Sequence, residues 1–433
     1  MNKPRPGGQA NNFAAQAAER AVQSIACRNT RPGPHNPCPC RPTICRRGPG
    51  RRQKTEEKNM NDHALCSWLM EKGNPVIRFR TCADLLGQTP PDSLLGELLD
   101  FPPVRLLLQK LEDYGPIERM DSQTLNRIHT GPGVEGYVAK LLEYGMRAGI
   151  APFDARMDVF RQYVDNDFVK RAVSGAPGSD ADAFRPVIIA SLMSSYFARA
   201  GYRDLTAASD FIRLRIDSIY KIASQKRFDI YLTDEELAKY PKRPAAWLNR
   251  PVIRPEFDPY RNIMPLPIIH DIFGMAYFPR ELRTPELDDK ISAIITYIMD
   301  SRFRALPRGY GLVYYEGYRR YYACGWRPEI TDPRGPEYER GIIVLYAELM
   351  SRFAAAAGSG WLKECLDVLE EYRTERGTYS LPPAMLKEKK DNGFVCGASM
   401  GLGENRRRRE AYEIESTFRV LLIKKLLSET LGR

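Results

Sequence analysis

Tyr144-Gly145-Met146-Arg147-Ala148-Gly149 returns 52 residues downstream as Tyr196-Phe197-Ala198-Arg199-Ala200-Gly201, sharing the pattern Y-x-x-R-A-G. The offset persists, since Asp158-Val159-Phe160-Arg161 matches Asp210-Phe211-Ile212-Arg213. Each unit reads as an apolar helix closed by glycine, a short turn, and a second, amphipathic helix. The first helices, over 134–147 and 186–200, are rich in small and apolar residues and are expected to be buried on both sides. The second helices, over 153–164 and 205–222, alternate Arg and Asp with apolar positions, as an outer layer does. Units of this size cannot bury their faces alone and must stack on one another.

Weaker copies extend the pattern in both directions. Helix pairs are expected over 268–278 and 286–301, then over 341–357 and 361–373, with a closing helix over 414–427. Upstream, Asn74-Pro75 marks a helix start and Gly87 a stop, with apolar residues at 76, 79, 82/83 and 86 forming one face. Strand candidates are few. Residues 227–232 and 311–315 alternate briefly, and neither is long enough to predict a sheet. The expected fold is all-α, a stack of helical hairpins over 60–433.

The chain has 433 residues and a formal net charge of +11. Residues 1–59 hold 12 Lys+Arg against 3 Asp+Glu, a net of +9, which leaves +2 for the remainder. Eight Pro and five Gly accompany that charge. Such a composition buries too little apolar surface to offset chain entropy, so 1–59 is expected to be a disordered, flexible basic tail. Cys27, Cys38, Cys40 and Cys45 lack the paired arms of a zinc knuckle, so no metal is expected there. With the body near neutrality, nucleic acid is not an expected partner. No apolar run approaches the ~18–20 residues of a bilayer span, and no apolar leader core is visible, so a cytoplasmic location is expected.

Several stretches carry a resemblance. Trp68-Leu69-Met70-Glu71 followed by Asn74-Pro75-Val76-Ile77-Arg78-Phe79-Arg80-Thr81 resembles the opening of bacterial relatives of the squalene cyclases and prenyltransferase β-subunits. Arg308-Gly309-Tyr310, Arg376-Gly377-Thr378-Tyr379 and Asn392-Gly393-Phe394 read like degenerate forms of that superfamily's glycine–aromatic loops. Met264-Pro265-Leu266-Pro267-Ile268-Ile269-His270-Asp271-Ile272 and Ser416-Thr417-Phe418-Arg419-Val420-Leu421 are similar to further segments of the same proteins. The resemblance implies an α/α toroid, with inner helices around a central cavity and outer helices wrapping them. It implies a terpenoid cyclase-like or prenyltransferase-like cavity for a hydrophobic or isoprenoid-like small molecule. The chemistry does not follow with it. No D-x-D-D acid motif is present beyond the fragment Asp180-Ala181-Asp182, and Asp288-Asp289 lacks the continuation of a magnesium–diphosphate motif.

If the chain is catalytic, acid/base groups are expected at inner-helix starts. His270 and Asp271 open an apolar helix, where an imidazole beside a carboxylate acts as base or polariser. The plainer reading makes Asp271 a first-turn cap and His270 a hydrogen-bonded core residue. Asp180 and Asp182 stand two apart and can share a proton, or else offset a helix dipole beside Arg185. Tyr310, Tyr314, Tyr315, Tyr318 and Trp326 form the densest aromatic stretch and are expected as a ligand-binding wall, since aromatic faces stabilise cations. The glycine-rich segment 397–403 follows no strand and is not followed by Gly-Lys-Ser/Thr, so no cofactor is expected. The rival class is a non-catalytic helical-repeat scaffold that binds a protein partner.

Overall fold

The structure, a computed structural model, describes residues 62–114, 133–165, 186–257, 265–316, 319–336, 341–388 and 399–432. All belong to the unit Met60–Arg433, which is distinct from Met1–Asn59. The tail over 1–59, its four cysteines, Asp180, Asp182 and Tyr318 lie outside the described residues. Sixteen helices and one two-stranded sheet are present among the described residues, so the unit is mostly helical.

Helix α1 (Asp62–Lys72) leads through Gly73 to α2 (Pro75–Arg80). The start signal works as expected: the Asn74 side chain accepts from the Ile77 N–H at 2.9 Å, and Pro75 occupies the first turn. The helix runs on as a wide π turn over Thr81–Leu85 before Gly87 ends it. Helices α3 (Asp92–Asp100) and α4 (Pro102–Glu112) precede the repeat.

The repeat itself comprises α5 (Val134–Glu143), α6 (Ala151–Asp158), α7 (Pro186–Ala200) and α8 (Thr206–Ala223). Burial separates two layers. Nine residues of α5 are buried, including Glu135, Lys140 and Glu143, whereas α8 buries one face. The Ala148 N–H donates to the Ala200 carbonyl at 2.8 Å, so the two motif ends meet directly. Their helical registers differ. Helix α5 stops at Glu143, short of the expected 147, because Gly145 adopts a left-handed backbone at φ 94°. Tyr144 is therefore a C-cap, while Tyr196 sits inside α7. The expected outer helix over 153–164 is likewise shorter, ending at Asp158 before a 3-10 turn at Arg161–Tyr163.

Beyond the short α9 (Asp234–Leu237), the pairs continue with α10 (Ile269–Ala276) and α11 (Pro285–Met299), followed by α12 (Ser301–Arg304). Then come α13 (Ile343–Met350), α14 (Ala354–Ala357), α15 (Gly360–Glu370) and the closing α16 (Ala411–Leu431). Every residue of α13 is buried. Helix α7 packs on α5 and α10, α10 on α13, α13 on α16, and α16 on α1 and α2. No helix among the described residues is long and apolar enough to cross a membrane.

The sheet corrects the expectation of none. Strand β1 (Gly311–Tyr315) pairs antiparallel with β2 (Arg320–Cys324), Val313 opposite Tyr322 and Tyr314 opposite Tyr321. The Tyr314 and Tyr321 rings lie 5.0 Å apart, a cross-strand aromatic pair of the kind that stabilises a ladder. Val252 adds a bridge to Leu312. Residues 227–232, the other strand candidate, form only the isolated bridge Tyr231–Ile253.

Candidate functional site

The buried helices place charged residues at their C-terminal ends, where carbonyls are left without intrahelical partners. Glu143 ends α5, Arg199 lies in the last turn of α7, and Glu348 and Arg352 flank the end of α13. Cations are favoured at such ends by the helix dipole, and the carboxylates between them keep the cations in place.

Arg419 of α16 is the hub. It is fully buried, and its two Nη atoms donate to Glu348 Oε2 and Glu143 Oε2, each at 2.8 Å, and to the Met400 carbonyl at 2.7 Å. Arg199 donates to the other oxygen of Glu143 at 3.2 Å and lies 3.9 Å above the Phe273 ring. Arg80 bonds Asp84 at 2.7 Å and the Glu143 carbonyl at 2.9 Å, and Arg147 reaches Asp84 at 3.3 Å. Burial pushes the Glu143 carboxyl up, but Arg419, Arg199 and Arg80 outweigh it and hold the group down at about 2. Asp84 is lowered in the same way, by Arg80 and Arg147 against burial.

A cleft of about 390 Å³ opens against this network. Arg80, Arg147, Arg199 and Arg352 supply its charge, facing Asp84, Glu143 and Glu348; Leu142, Met146, Leu422 and Leu426 supply an apolar wall. Two buried nitrogens beside it are unpaired. The Arg199 side chain is 4% exposed, yet its Nε has no hydrogen-bond partner among the described residues, and neither has Arg352 Nε. The Arg352 guanidinium lies 4.3 Å from the centre of the Tyr277 ring and forms no ion pair with any described residue.

Comparison with known proteins finds no matching family model, no matching curated protein and no matching solved structure. Function is therefore read from the site's own geometry.

The described residues expected from the sequence lie elsewhere: His270 and Asp271 at the N-terminal end of α10, and Tyr310, Tyr314, Tyr315 and Trp326 on or beside the hairpin. His270 is 4% exposed, with Nε2 3.2 Å from Glu135 Oε1; the same oxygen accepts from Trp326 Nε1 at 3.0 Å. The Tyr196 ring meets His270 edge-on at 5.7 Å. Asp271 turns away from this group. Both its oxygens bond the buried Arg215, at 2.9 and 2.7 Å, and one also accepts from the Ile268 N–H, so it caps α10. Tyr310 is fully buried and donates to the Pro267 carbonyl at 2.7 Å. Tyr314 and Tyr315 are half-buried on the hairpin. The void beside His270 and Asp271 measures about 10 Å³, room for at most one water. Glu135 thus brings His270 and Trp326 together, with His270 in packed core.

Sequence reading missed Arg80, Glu143, Arg199, Glu348, Arg352 and Arg419. A signal exists for most of them: a charged residue inside an otherwise apolar helix, as with Glu348 in Ile343–Met350, is seldom buried without a partner. Arg147 and Arg199 are the conspicuous polar positions of the Y-x-x-R-A-G motif itself. Among the described residues, no three His, Cys, Asp or Glu side chains are grouped to hold a metal ion.

Proposed function

We propose that Met60–Arg433 is an α/α toroid that binds a small amphipathic anion, its acidic group at Arg199 and Arg352 and its hydrocarbon along Leu142, Met146, Leu422 and Leu426. The toroid reading is supported by the succession of buried helices. Each of α5, α7, α10, α13 and α16 packs on the next, and α16 returns to α1 and α2. The observation that carries the ligand reading is the Arg352 guanidinium, which lines the cleft without an ion-pair partner among the described residues. The cleft's size falls within the roughly 300–1,000 Å³ of ordinary small-molecule sites. Glu143 and Asp84 are held ionised by their arginines, so they are poor proton donors. The reading is accordingly of binding rather than turnover.

Titration calorimetry with dodecanoate and dodecanol tests this. Dodecanoate is expected to bind, dodecanol to bind at least about tenfold more weakly, and Arg352→Gln to weaken dodecanoate by a similar factor, as loss of one charged hydrogen bond predicts. Equal binding of acid and alcohol, or indifference to Arg352→Gln, would defeat the proposal.

A further inference from the structure

A second lobe of about 410 Å³ lies beside the first, and the two share Tyr277, Arg352, Leu426 and Glu429 as lining residues. The lobes differ in charge. The first is lined by four arginines and by four carboxylates, Asp84, Glu143, Glu348 and Glu429, a formal sum of zero. The second is lined by Arg203, Arg280, Arg283 and Arg352 against Glu281 and Glu429 alone, a formal sum of +2.

Helix-end neutralisation does not account for that surplus. Arg283 already serves the end of α10, donating to the Met275 carbonyl at 2.6 Å, and it pairs with Asp288 at 3.2 Å. Its Nε is nonetheless buried without a partner among the described residues. Arg203 is answered by Glu281. Arg280 is exposed and forms no ion pair within 4 Å among the described residues. Each lobe is therefore lined by a guanidinium without an ion pair among the described residues, Arg352 in both and Arg280 in the second, and Arg352 leans on Tyr277 between them.

Resting on the binding function proposed above, we infer that the ligand carries two acidic groups joined by a hydrocarbon segment. One group occupies the first lobe, and the other meets Arg280 and Arg283 in the second. The connecting segment lies against Tyr277 and Leu426, beside the shared pair of charged residues Arg352 and Glu429. A guanidinium takes a carboxylate or a phosphate by the same paired N–H donors, so the shared feature is two terminal acids.

Calorimetry on the full chain with dodecanedioate against dodecanoate reads this directly. The diacid is expected to bind about tenfold more tightly or better, the gain of one further charged hydrogen-bonded contact. Arg280→Gln is expected to bring the diacid-to-monoacid ratio close to one. Should the two acids bind alike while Arg352→Gln still weakens the monoacid, the second subsite is wrong and the binding function stands. Should neither acid bind, both readings fall together.

Discussion

Arg419 Nη2 donates to Glu143 Oε2 at 2.8 Å, joining the closing helix to the first repeat helix across 276 residues of chain. The same guanidinium answers Glu348 of α13, so one side chain ties together three helices that are far apart in sequence. Fully buried ions are tolerated only when every charge has a partner, and here each carboxylate of the group has at least one guanidinium.

Removing the hub should therefore be costly. Arg419→Met keeps much of the volume but leaves Glu348 without its pair and Glu143 with Arg199 alone. The expected loss is about 3–5 kcal/mol, the usual cost of stranding a buried charge, read as a shift in the urea unfolding midpoint. Arg419→Lys should recover little, because a single ammonium cannot bridge two carboxylates and the Met400 carbonyl with the same geometry. A loss under about 1 kcal/mol would show that the network relaxes around the missing charge.

Much of the helical organisation was legible because it is written in period and punctuation. Asn74-Pro75, Gly87 and the buried apolar runs of α7 and α13 each name an element without reference to a neighbour. The hairpin was harder to see. Arg320-Tyr321-Tyr322-Ala323-Cys324 reads as an aromatic cluster until Gly311–Tyr315 lies beside it. Of the candidate site, His270 and Trp326 do converge, but through Glu135, a residue that reads as an ordinary first-turn acid. The arginine cleft escaped because its members come from six separate helices and their ends, and nothing local in the sequence states which of them face each other.

His270 belongs to the core on this geometry. His270→Ala removes one donor from the buried Glu135 carboxylate and opens a space beside Tyr196. It is expected to cost roughly 1–3 kcal/mol of stability while leaving dodecanoate binding unchanged, since the cleft begins about 10 Å away along α10 at Tyr277. The opposite pattern, intact stability with binding lost, would return the site to His270.

Gly145 tests the helix stop that sets the cleft floor. Its φ of 94° disfavours any side chain, and an added Cβ would lie 3.1 Å from both Phe79 and Arg80. Gly149 has nearly the same φ, 91°, but nothing within 4 Å of the added carbon. Gly145→Ala should destabilise by about 1–3 kcal/mol and Gly149→Ala by less, the backbone share of roughly 1–2 kcal/mol alone. Equal losses in thermal or urea unfolding would mean that the contact with Phe79 and Arg80 yields freely.

Stability should depend on pH through two carboxylates that burial treats in opposite ways. Glu415 is fully buried beneath the Glu404 N–H and Arg406; burial raises it from 4.5 to about 7, with Arg406 restraining the rise. A raised carboxyl holds its proton better in the folded state, so its contribution is complete below pH 4.5 and is lost as pH rises toward 7. Glu143, held near 2, does the reverse: its contribution is present above 4.5 and is lost as acid approaches 2. Each displacement corresponds to about 3 kcal/mol. Urea unfolding of the full chain between pH 4.5 and 7.5 should show stability falling with pH, a slope that Glu415 imposes with a contribution of the same sign from Glu404, which burial also raises. Glu415→Gln cannot ionise, keeps an oxygen for the Glu404 N–H, and should flatten that slope without altering the acid limb set by Glu143. A wild-type slope that survives Glu415→Gln unchanged would place the responsible proton on some other group.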